Sequence, residues 1–94
     1  MKVIEYLYRD ISGRHPIFEV TGRYFDGSQK LLGRVEYRWF RHLRGSHWEA
    51  TGADGSHRAV HEECWQAAWA LGWDGIGYPF PVHPRHRPAS SHPA

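Results

Sequence analysis

Leu31-Leu32-Gly33-Arg34-Val35-Glu36-Tyr37-Arg38-Trp39-Phe40 is the stretch on which the fold turns. Apolar and polar residues alternate through it with period two. That pattern marks a strand with one face on a core and the other in water. Leu31, Gly33, Val35, Tyr37 and Trp39 are expected to point inward. Leu32, Arg34, Glu36, Arg38 and Phe40 are expected on the wet side. A lone strand cannot bury a face, so partners must flank it.

Those partners can be read on both sides. Lys2 to Arg9 alternates again, with Ile4, Tyr6 and Tyr8 on one face and Val3, Glu5 and Leu7 on the other. Asp10 to Pro16 is a loop. Ile17 to Phe25 is a second strand carrying Phe18, Val20 and Tyr24 on one side, interrupted by Gly22, the mark of a bulge or a close neighbour. Asp26-Gly27 is a hairpin turn, because glycine tolerates positive φ. Past Phe40, Arg41 to Ser46 reads as a basic loop and His47 to Thr51 as a short strand with Trp48 and Ala50 inward. Asp54-Gly55 is a second turn, and Ser56 to Val60 its return strand.

His61 to Leu71 then changes period. Cys64, Ala67, Ala68 and Leu71 fall on one helical face. Glu62 and Glu63 are expected in the first turn, where acidic groups suit the dipole, and Gly72 is expected as the stop. Five of the six prolines fall after Gly72. The fold class is therefore α+β: an antiparallel sheet of about five strands packed on one C-terminal helix, then a Pro-rich tail. Residues 1–82 form the expected single domain, and 83–94 a disordered Pro/His-rich tail.

Composition narrows the function classes. The 94 residues suit one domain, and the formal charge of +2 makes no demand for a nucleic-acid partner. Cys64 is the single cysteine, so no internal disulfide can form, in keeping with a reducing cytoplasm. MKVIEYLYRD lacks the apolar centre of a signal peptide, and no run has the length of a membrane span. Ten Arg against two Lys suggest a GC-rich genome, such as an actinobacterium or one of its phages.

No pattern of catalytic residues stands out. His57, His61 and Cys64 have zinc-like spacing, with His47 as a fourth candidate, but His57 and His61 fall on different elements; no metal or other cofactor is expected. Cys64 near a helix start could act as a nucleophile, yet its apolar neighbours predict burial. Glu19, Glu36 and Glu49 are expected as sheet carboxylates paired with arginines.

Two binding surfaces remain. Trp65, Trp69, Trp73, Tyr78 and Phe80 cluster at and after the helix. They need a cover: the chain's own Tyr78 to Pro81 segment, a second copy, or a foreign protein. The first expectation is thus a non-enzymatic protein-binding module, of the kind a phage could encode to modulate a host protein. The alternative is nucleic-acid binding through Arg34, Arg38, Arg41, His42 and Arg44, cations interleaved with Phe40. Trp48, Ala50, the Asp54-Gly55 turn and the Ala-rich helix give Val35 to Leu71 a pattern that loosely resembles the small sheet domains of APETALA2-type plant factors and of tyrosine-recombinase arm-binding domains. That resemblance implies a sheet that reads DNA, and it assigns no residue.

Overall fold

The computed structural model describes residues 2–73, 80 and 83–87. Five antiparallel strands lie side by side in chain order: β1 (Val3–Asp10), β2 (Ile17–Tyr24), β3 (Gln29–Phe40), β4 (Gly45–Gly52) and β5 (His57–His61). One helix, α1 (Cys64–Gly72), packs on one face of the sheet, mainly against β3, β4 and β5. The expected α+β arrangement is the one observed.

The core is a row of paired residues running across the strands. Phe18 pairs with Val35, Val35 with Ala50, and Ala50 with Ala59. Above this row sit Ala67, Ala68 and Leu71 of α1, and Val20 completes the buried cluster. Alanines on both layers let the helix approach the sheet closely. The larger Tyr6, Phe18, Leu32 and Trp48 fill the margins. Val20 and Val35 have no exposed surface, and burying each such side chain contributes about 1.5–3 kcal/mol.

The alternation in β3 holds at Val35 and fails on either side. Trp39 is 66% exposed and Tyr37 36%, although both were expected inside. They point to the helix side, but the helix does not reach them. Nine residues of helix cover about 13 Å, whereas the twelve of β3 span about 40 Å. At the other end a bulge inverts the pattern. Val20 pairs with Gly33 and Thr21 with Leu31, so Leu32 is the extra residue. Leu32 therefore packs on the core, and Leu31, expected inward, is exposed. Phe40, expected on the wet face, is buried against the rings of His42 and His47.

The helix begins later than its periodicity suggests. His61 still pairs with Trp48 as the last residue of β5 and is buried. Glu62 and Glu63 precede the first turn, and the Glu63 backbone N–H donates to Gln66 Oε1 at 3.2 Å, half of a capping box. Gly72 lies in the last turn. A side chain there would meet the Tyr6 hydroxyl at 2.6 Å, so close packing of β1 on the helix end explains this glycine. The loop expected at Arg41 to Ser46 is a single 3-10 turn, Arg41–Leu43, closed by Arg44 at φ 52°.

Gly33 is the most constrained position. Its φ is +149°, and a Cβ would press on the Thr51 carbonyl oxygen and lie 2.9 Å from Gly52 Cα. Gly33→Ala should therefore destabilise the fold by at least about 2 kcal/mol in urea denaturation. Gly13→Ala, where nothing lies within 4 Å, should be close to neutral.

Candidate functional site

The helix-free face of the sheet carries a set of charge pairs. Arg23 Nε donates to Glu5 Oε1 at 2.7 Å, Arg9 lies 2.9 Å from Glu19, and His15 pairs with Glu36. The densest group surrounds Glu49, which is only 3% exposed. Arg38 Nη1 donates to Glu49 Oε1 at 2.9 Å, His57 Nδ1 lies 3.2 Å from Oε2, and Arg85 Nε also reaches Oε2. Burial alone would raise the Glu49 pKa. Hydrogen bonds and charge from Arg85 and Arg38 outweigh that and hold it below the ordinary glutamate value. Glu19, Glu36 and Glu49 were expected as solvated sheet carboxylates paired with arginines. Arginine pairs Glu19 and Glu49, histidine takes that place at Glu36, and Glu49 is buried.

These pairs divide the expected arginine surface. Arg38 spends its charge on Glu49, and Arg34 stands exposed opposite Glu19 and Thr51 on neighbouring strands. Arg41, His42 and Arg44 converge elsewhere. With Trp39, Pro84, His86 and Arg87 they line a groove of about 1100 Å3. His42 Nε2 donates to the Pro84 carbonyl, which fixes one wall. Sequence reasoning missed Trp39 here because period two sent it inward. A comparison of strand length with helix length would have exposed it.

On the opposite side the tryptophans form the expected cluster. The Trp65 and Trp69 rings are 5.5 Å apart, edge to face. Phe80 packs on both, at 5.0 and 5.7 Å, and also approaches His61. Part of the post-helix segment thus lies over the indoles. Tyr78 falls outside the described residues. Trp65, Trp69 and Trp73 nonetheless keep substantial exposed surface. Trp69 and Trp73 face β1 across a groove of about 890 Å3 that also involves Val3, Ile4, Tyr6 and Tyr8. Tyr6 stacks on Trp69 at 6.3 Å. The strand residues of this groove were not singled out from sequence, since β1 looked like any half-buried strand.

The zinc-like triad is not assembled. His57 and His61, expected on different elements, both belong to β5, but a bulge between them turns His57 to Glu49 while His61 is buried opposite Trp48, and Cys64 opens α1. Cys64 is half-buried, and burial, then the Glu63 charge, pushes its thiol pKa up. That leaves little thiolate for nucleophilic attack. Among the described residues no helix is long and apolar enough to cross a membrane.

Comparison with protein-family models, with curated proteins and with solved structures finds no match for this chain. The similarity of Val35 to Leu71 to DNA-reading sheets therefore stays one of element order.

The Glu49 cluster gives a signed pH expectation. A carboxylate whose pKa is lower in the folded state stabilises the fold above its unfolded pKa, and that contribution is lost as pH falls through the folded value. Glu49→Gln should lose on the order of 1 kcal/mol at pH 7. The gap to the parent chain should close below the ordinary glutamate range in a pH series of chemical denaturation.

Proposed function

We propose that this chain is a non-enzymatic protein-binding module that takes an extended segment of its partner alongside β1. The observation that carries the reading is an edge strand beside an aromatic groove. Among the described residues β1 ends the sheet, and a sheet edge offers unpaired N–H and C=O groups to an added strand. Ile4, Tyr8, Trp69 and Trp73, all exposed, provide apolar contacts next to that edge. Tyrosine and tryptophan are the residues in which binding energy concentrates. The raised thiol pKa of Cys64 and the enclosure of Glu49 by Arg38, Arg85 and His57 in a charge-paired cluster support a non-catalytic role. The proposed setting is the cytoplasm, and a phage modulator of a host protein fits the composition.

Affinity capture from a nuclease-treated lysate tests this. The expected result is a protein partner retained by the parent chain. Ile4→Lys and Trp73→Ala should each weaken it by about 2 kcal/mol, roughly 30-fold. Equal retention by both variants would remove the β1 groove from the reading.

A second reading is favoured by the Trp39 groove. An exposed indole among Arg41, Arg44 and Arg87 can stack a base while the cations follow phosphates. If single-stranded nucleic acid binds there, Trp39→Ala should cost about 1–3 kcal/mol. Arg41→Ala and Arg44→Ala should each lower the salt dependence by about one unit. No binding of oligonucleotides at low salt would eliminate it.

A further inference from the structure

We infer that His47, Glu62 and His83 form a binding site for a zinc-class divalent metal ion, one that fastens the C-terminal segment to the sheet. Each residue offers one ligand atom, and the three atoms lie within 4.8 Å of one another. His83 Nε2 is 3.9 Å from Glu62 Oε1, and the His47 and His83 rings stand 5.2 Å apart, nearly perpendicular.

The fold brings the three together for a definable reason. Trp48 pairs with His61 at the end of the β4–β5 ladder, so one further step sets His47 opposite Glu62. Both then project from the helix-free face, since Trp48 and His61 point to the other side. The third ligand arrives by a backbone bond: the His83 N–H donates to the Val60 carbonyl at 3.1 Å, laying the segment along β5 beside Glu62.

The chemistry of the donors fits. Two imidazoles and a carboxylate suit zinc and its neighbours, with the remaining position left to solvent. The orientation of the His47 ring is already set. Its Nδ1 donates to the Gly45 carbonyl at 3.2 Å, which leaves Nε2 as the atom to meet a metal. Metal-binding histidines are usually held by such a bond. Tetrahedral donors sit about 3.3 Å apart at zinc–ligand distances of about 2.0–2.1 Å. The triad must therefore contract by about 1 Å, and Glu62, with a side chain 72% exposed, is free to swing. Neither His47 nor His83 belongs to the tryptophan cluster or to the β1 groove, so the site stands apart from the proposed partner surface.

Occupancy would affect the chain beyond the site. His83 leads directly into Pro84, Arg85, His86 and Arg87, which accept from His42, bond Glu49 and wall the Trp39 groove. A metal at His83 anchors all of these.

The test is a titration of the full chain, stripped with chelator, with ZnCl2 at pH 7.5, followed by calorimetry and thermal unfolding. One equivalent should bind and raise the melting temperature. Co2+ in its place should give ligand-field absorption bands of an imidazole-containing site. His47→Ala and His83→Ala should each weaken binding by more than about tenfold. Glu62→Gln, a change at an exposed side chain that leaves the fold intact, should also weaken it measurably, while His15→Ala should bind as the parent does. The absence of binding, or zinc binding that persists in the His47→Ala and Glu62→Gln variants, would overturn the assignment.

Discussion

The constraint behind most of this structure is coverage: one nine-residue helix lies on a sheet whose longest strand has twelve. The helix can dry only the middle of the sheet. There Val35, Ala50 and Ala59 meet Ala67 and Ala68 with no gap. Beyond the helix ends the same face of the sheet leaves aromatics in solvent. Trp39 is stranded past one end, and Tyr8 with Ile4 lies along the far edge. Trp39 is left exposed by this shortfall in length, whereas the β1 groove lies beside the helix, with Trp69, Gly72 and Trp73 as one of its walls.

Among the described residues no helix covers the other face, and charge pairs run across its strands. Arg23 with Glu5, Arg9 with Glu19 and Arg38 with Glu49 neutralise one another across strand pairs. Glu49 departs from the rest in being buried. A buried carboxylate is costly unless its oxygens are bonded. Here Arg38 and His57 come from adjacent strands, and Arg85 from outside the sheet. The position therefore links sheet stability to the placement of the 83–87 segment.

Element order and type were legible in the sequence because the Asp10–Pro16 loop, Asp26-Gly27 and Asp54-Gly55 separate the strands they join and α1 changes the period. Side-chain direction in β3 was legible from Gly33 to Phe40, but burial only near Val35. The bulge at Leu32 depends on how β2 pairs with β3, which no local pattern reports. The helix start was misplaced because His61 fits an apolar helix face as well as it fits a strand end, and pairing with Trp48 decides between them. At the site level the tryptophan cluster and Arg41, His42 and Arg44 were visible as composition. Trp39, the β1 wall and the His47–Glu62–His83 grouping were not, since each requires knowing which elements lie side by side.

The chain-order sheet also bears on how the molecule forms. Every strand pairs with its neighbour in sequence, so each hairpin can close across a short loop with small entropic loss. Such low contact order favours rapid collapse of the sheet. Arg85 meets Glu49 across 36 positions and His42 meets Pro84 across 42. These closures have little to gain until the sheet and helix exist. Residues 83–87 are thus placed to dock after the sheet and helix have formed.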